Sequence, residues 1–190
     1  MNPETTPPPQ HHYFQGIMLE PGEEVVTVIH RHPVGIVGIV LVGLGALAAM
    51  VALLILLLPD AFTNSDTRLS ALGIATVLLA LASLMLLAAI FVYRQSRIMV
   101  TNKNLVQIMQ KTLFNKKISR LSMSNVEDVN AEQRGILATI FNFGTLLVQT
   151  AGEKDNFSFT LCPNPNKYAE QILEAREAYA NALRESNENR

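Results

Sequence analysis

The sequence predicts an α+β membrane protein in which a two-helix transmembrane hairpin precedes a bent antiparallel β-sheet or barrel, closed by a C-terminal helix. Three observations predict it. Two long uncharged apolar runs stand close together, the residues after them alternate in the manner of strands, and the last stretch repeats at helical spacing.

Of the 190 residues, roughly 95 remain once the spans and the N-terminal stretch are set aside, enough for one ordinary soluble domain. The hydrophobic fraction of 49% is concentrated between Val34 and Val92, which separates a membrane protein from a soluble one with a large core. Cys162 is the only cysteine, so intramolecular disulfides and cysteine-rich metal sites are excluded.

Residues 1–18 begin with a segment rich in Pro, Thr, Gln and Asn, including Pro7 to Pro9. Such a segment buries too little apolar surface to offset its ordering entropy, and it is expected to be a disordered tail. Residues 19–33 form a juxtamembrane segment, with Glu23 to Ile29 as a candidate extra strand. The first span, 34–58, carries no charge and at about 1.5 Å per residue reaches across roughly 30 Å of hydrocarbon with some tilt. It starts too late for a secretory signal and has no clear small-residue cleavage site, so it is expected to stay as an anchor.

Residues 59–68, with Pro59-Asp60, make a short extracytoplasmic loop, and the second span covers 69–93. Within a membrane a helical hairpin satisfies the backbone of both runs, and a buried soluble helix pair is the less favoured alternative. Arg94, Arg97, Lys103 and Lys111 follow the second span and Arg31 precedes the first, against Arg68 in the loop. The protein should therefore be multi-pass in the cytoplasmic (inner) membrane with both termini cytoplasmic.

The domain is expected over 94–185. Phe157, Phe159 and Leu161 should face one way and Ser158, Thr160 and Cys162 the other, while Asn102-Lys103 and Asn115-Lys116 read as turns. A helix over 165–185 should be capped by Asn164, start at Pro165, and bury a stripe of Tyr168, Ile172, Ala175, Tyr179 and Leu183. Residues 186–190 are left as a tail.

Arg94, Arg97, Lys103, Lys111, Lys116, Lys117 and Arg120 are uninterrupted by any acidic residue. Near an anionic membrane each is worth about 1 kcal/mol within a Debye length, which makes them candidates for lipid headgroups. A topology signal on a solvated surface explains them equally well. Gly38, Gly45 and Ala49 are candidates for close helix packing, and the hairpin itself is enough to explain them. Ile136, Leu137, Ile140, Phe141 and Phe143 are expected to pack in the core or at the sheet end, with a docking surface as the second reading.

Transport lacks ionisable groups at membrane depth, where Thr76 and Ser83 are the only polar side chains. Hydrolysis lacks a nucleophile with its base, and no histidine follows His32. His30 and His32 with Glu23 or Glu24 make a weak metal set beside the simpler reading of headgroup contact. Nucleic-acid binding is not supported, because the basic block lacks interleaved aromatics.

Pro21-Gly22-Glu23 leading to His30-Arg31-His32-Pro33, Val100-Thr101-Asn102, and Val126-Glu127-Asp128-Val129 followed by Phe143-Gly144-Thr145-Leu146 and Thr150-Ala151-Gly152 together resemble the YdbS-like family of bacterial membrane proteins carrying a pleckstrin-homology (PH) domain. The resemblance runs from Leu19 to Leu173. It implies a seven-stranded bent sheet capped by a helix at the inner membrane face, with no established catalytic residues. Six strands can be traced after the spans, and Glu23 to Ile29 is the candidate for the seventh. In PH-like domains the loop between the first two strands often contacts headgroups. Here that loop would be Thr101 to Asn104, too short to wrap one.

The function expected is a membrane-apposed binding or scaffolding module that contacts protein partners, anionic lipid headgroups or both, without enzymatic activity or a cofactor. The alternative is a subunit of a larger export, channel or envelope-stress complex, joined through the hairpin to an unknown partner or to further copies of itself. Less supported is a lipid-modifying enzyme using Glu127, Asp128 or the histidines.

Overall fold

The computed structural model describes residues 13–14, 16–57, 65–151 and 156–189. The tail expected over residues 1–12 and most of the loop expected over 59–68 lie outside the described residues.

The N-terminal segment differs from the tail expected up to residue 18. β1 (Tyr13–Phe14) pairs with β2 (Ile17–Met18), and Ile17 and Leu19 are buried against Met99, Val106 and Ile108. The reason lies in the strands beneath. Ile98, Met99 and Val100 are consecutive and all buried, so that sheet is apolar on both faces and its outer face needs a cover.

β3 (Val25–His30) is followed by α1 (Val34–Leu57) and α2 (Ser65–Gln95), then by β4 (Arg97–Thr101). β3 nevertheless pairs antiparallel with β4, with Val28 opposite Met99 and His30 opposite Arg97. β5 (Asn104–Gln110) and β6 (Lys116–Ser122) complete a sheet of order β3-β4-β5-β6. The helical hairpin is thus an insertion between two neighbouring strands. The domain does not begin at residue 94, because Ile29 of β3 is fully buried in its core.

A 3-10 turn (Met123–Asn125) leads to β7 (Val126–Glu132), the short helix α3 (Ile136–Ile140), β8 (Phe143–Thr150) and β9 (Phe157–Pro163), which form a second sheet of order β7-β8-β9. Ile98, Val100 and Leu105 from the first sheet pack with Leu146, Val148 and Phe159 from the second. α4 (Pro165–Glu188) closes this core with Ala169, Ile172 and Ala175. It runs past the expected end at 185, and Leu183 at the outer end of the stripe stays exposed.

Two local expectations are corrected. Asn164 adopts a left-handed conformation and its side chain caps nothing; its Oδ1 accepts instead from the Asn142 amide, and Pro165 alone supplies the start signal. In β9 the alternation breaks at Leu161, whose φ is 56°. The ladder slips against β8 between Gly144 and Leu146, a bulge that turns Cys162 into the core and leaves Leu161 half-buried. Gly144 is required there, since a Cβ would lie 2.3 Å from the Glu132 carbonyl oxygen.

α1 and the Arg68–Gln95 part of α2 have mean hydropathies of 2.9 and 2.7 and are long and apolar enough to cross a membrane. None of the most apolar stretch of either is buried inside the protein. A core helix of a soluble protein would instead be mostly covered.

Candidate functional site at the junction of hairpin and domain

The residues just before α1 and at the end of α2 form a knot. Tyr93 Oη donates to the His32 carbonyl at 2.6 Å, and the His32 N–H donates to the Leu161 carbonyl at 2.6 Å. His32 Nδ1 accepts from the Val34 N–H at 3.2 Å, taking up one of the free donors of the first turn of α1. Its ring lies 5.5 Å from that of Phe143. Gly35 makes room, because a Cβ there would stand 2.2 Å from Tyr93 Oη. The bulge at Leu161 therefore aims a carbonyl at the chain as it enters the hairpin.

Arg31 sits within this knot, its guanidinium carbon 5.6 Å from the Tyr93 ring centroid and 5.8 Å from that of Phe159. These cation–π contacts hold the side chain, while its buried Nε has no hydrogen-bond acceptor among the described residues. Beside it opens a shallow pocket lined by Arg31, Gln110 and Lys111 together with Ile39 of α1 and Ala88, Ala89, Val92 and Tyr93 of α2. Two cations and an apolar helix surface thus border one pocket. Such a site can neutralise a phosphate while an alkyl chain lies along the helices. In the sequence Arg31 is marked as a topology signal and as part of the His30-Arg31-His32-Pro33 stretch, and its place next to the first span is the clue to this site.

The structure divides the basic block. Lys111, Lys116 and Lys117 cluster at the β5–β6 turn, at the same end as Arg94 in the last turn of α2 and Arg97 at the start of β4. Lys103 lies at the opposite end of the strands, about 20 Å away for a seven-residue strand, and Arg120 stands opposite Val106, about 10 Å along β6 from Lys117. Lys103 Nζ donates to the Pro21 carbonyl at 2.7 Å. Arg120 donates to the Met18 carbonyl and pairs with Glu20 at 3.5 Å. These two fasten the N-terminal segment.

The Thr101–Asn104 turn joins β4 to β5, and β3 precedes both in the sheet. It is therefore the second connection of the sheet and not the first, and it faces away from the helices. Its groups are taken by the N-terminal segment: Asn102 accepts from the Glu24 N–H at 2.9 Å and donates to the Gly22 carbonyl at 3.0 Å. Glu23 is buried there, accepting from Thr101 Oγ1 at 2.6 Å, Asn104 Nδ2 at 3.0 Å and the Glu20 N–H at 2.7 Å. Burial raises its pKa, but these donors and the charge of Arg120 outweigh it and hold the carboxyl below its ordinary value.

Other singled-out residues are not brought together. Glu23 lies at one end of the sheet, and His30 and His32 at the other. Among the described residues no three His, Cys, Asp or Glu side chains form a metal-sized group. Asp128 accepts from its neighbours, the Val129 N–H and Asn130 Nδ2, and Glu127 is exposed. Hairpin packing does not explain Gly38, Gly45 or Ala49. Cβ atoms on the two glycines would meet nothing within 4 Å and Ala49 is exposed. The close approaches are at Gly35 and at Gly43, where a Cβ would stand 2.9 Å from Leu86. The α3 cluster is not core either: Ile136, Leu137, Ile140 and Phe141 are exposed, and Ala138 alone of the helix is buried.

Two antiparallel sheets closed by a C-terminal helix, with a helical hairpin inserted between the first two strands of the larger sheet, define a PH-like domain built onto two apolar helices. The Bacterial PH domain family matches residues 33–176, and this chain belongs to that family. A crystal structure of a DUF1696 family protein with a pleckstrin-homology domain from Shewanella loihica is similar over 45% of this chain and 68% of that one, at 21% identity and a TM-score of 0.29. No curated protein matches the chain.

Proposed function

We propose that this is a membrane-anchored binding module of the YdbS-like kind, whose hairpin spans the cytoplasmic membrane and whose PH-like domain engages anionic phospholipid at the inner face. The observation that carries the proposal is the pocket that Arg31 and Lys111 share with Ile39, Ala88, Ala89 and Val92. Its cations suit the headgroup of a phospholipid and its apolar residues the chain. Arg94 and Arg97 sit at the same end, and the charge flanking the helices sets both termini on the cytoplasmic side. The role proposed is binding or scaffolding, for which cations beside an apolar surface suffice.

The test uses the full chain in nanodiscs of phosphatidylcholine with phosphatidylglycerol. Native mass spectrometry of the released protein should show retained phosphatidylglycerol, and R31Q with K111Q should lose most of it. Equal retention by the variant, or none by the wild type, refutes the lipid reading. Crosslinking in native membranes then identifies the protein partner that a scaffold requires.

A further inference from the structure

Two exposed apolar tips lie at the junction end of the domain. The first is the β5–β6 turn. Leu113 is exposed and Phe114 is 98% exposed. The turn is nonetheless built, not loose. The Lys111 N–H donates to the Asn115 carbonyl at 2.9 Å, and Gln110 Nε2 to the Thr112 carbonyl at 2.8 Å. Its base is fixed to the end of α2, since the Gln110 N–H donates to Ser96 Oγ at 3.3 Å.

The second tip is α3. Ile136 and Ile140, and Leu137 and Phe141, are each four residues apart and so share a helix face, and that face is turned outward with Ile136 79% and Ile140 68% exposed. α3 leads into β8, whose first residue Phe143 packs its ring on His32, two residues before α1. Both tips are thus attached where the chain enters or leaves the helices.

Large apolar side chains clustered in this way are unfavourable in water and mark a surface that is covered. Three facts select the occupant. The tips stand at the end of the domain from which the uncovered apolar helices α1 and α2 leave. Lys111, Lys116 and Lys117 ring the first tip, a pairing of apolar point and cations that suits an anionic bilayer surface. The tips also belong to different sheets, joined across the knot at His32 and Leu161, and each lies at the end of its sheet nearest the hairpin.

We infer that Leu113–Phe114 and the Ile136–Phe141 face insert into the interfacial layer of the same bilayer that holds the hairpin, fixing the tilt of the domain by two further contacts. This rests on the membrane-spanning reading above. With the tips seated, Arg31 and Lys111 are held at headgroup depth and the far turn at Thr101–Asn104 is held away from the membrane.

The experiment places nitroxide labels one at a time on the full chain, reconstituted in phosphatidylcholine–phosphatidylglycerol vesicles. The positions are F114C, L137C, S124C at the far end and L44C in α1, with collisional access to oxygen and to a water-soluble nickel chelate as the readout. The expected result is that 114 and 137 lose nickel access and gain oxygen access relative to 124, and lie shallower than 44. If 44 is lipid-exposed while 114 and 137 match 124, the tips are in water and the inference fails with the anchor intact. If 44 itself is water-accessible, the spanning reading fails and the inference with it. If 114 and 137 are shielded from both reagents, they contact protein, and the bilayer is the wrong occupant.

Discussion

Glu23 and Thr101 lie 78 positions apart, yet share a 2.6 Å hydrogen bond in the interior of the domain. They belong to two of the short stretches that stood out in the sequence, Pro21-Gly22-Glu23 and Val100-Thr101-Asn102. Their juxtaposition gives both a structural role: they clasp the segment before the hairpin to the strand after it.

The clasp makes a pH prediction. The carboxyl of Glu23 is held below its ordinary value of 4.5, so it binds a proton less readily folded than unfolded. Its contribution to stability is present above pH 4.5 and is lost as pH falls through the lower folded value. E23Q should flatten this acid limb and destabilise the protein at neutral pH by about 2 kcal/mol, the order for a buried charged hydrogen-bond partner. Urea unfolding in detergent as a function of pH measures both, and parallel acid limbs in wild type and variant would contradict the assignment.

β3 carries Ile29 into the core from before the hairpin. A fragment of residues 94–190 therefore lacks a core side chain and exposes the β4 edge, and it should aggregate. Joining residues 17–33 to it through a short linker in place of the helices should restore a cooperative transition. I29A in the full chain should cost about 2–5 kcal/mol, measurable by chemical denaturation.

At the hairpin, G35A forces Tyr93 off the His32 carbonyl and should destabilise by about 1–3 kcal/mol, the range for overpacking a tight site. G38A adds a methyl to open space and should leave the single chain unchanged. Thermal unfolding in detergent separates the two, and equal losses would show that the contact with Tyr93 is not what makes G35A costly. Loss of a crosslinked oligomer with G38A would reveal an intermolecular use of that face.

Cys162 is buried, and burial pushes its thiol up to about 12. The thiolate is the reactive form, so at pH 8 maleimide should label the native protein far more slowly than the denatured one. With no other cysteine in the chain, labelling reports opening of the β8–β9 and α4 core; rapid native labelling would mean that this core opens readily.

The sequence by itself determined the two long apolar helices, because an uncharged run of that length satisfies its own backbone as a helix, as a lipid environment would require. It also determined the amphipathic C-terminal helix and the β character of what lies between, since these are written in local periodicity. The pairing of β3 with β4 was legible only as a candidate, because strand partners separated by two helices leave no local mark. The bulge at Leu161 was not legible: period-two alternation carries no sign of the residue at which a strand slips. The site followed the same division. The charges were visible, but tertiary structure alone decided that Lys103 and Arg120 fasten the N-terminal segment while Arg31 and Lys111 meet beside the helices. A cation's use depends on which end of a strand it occupies, and strand pairing over the whole chain sets that.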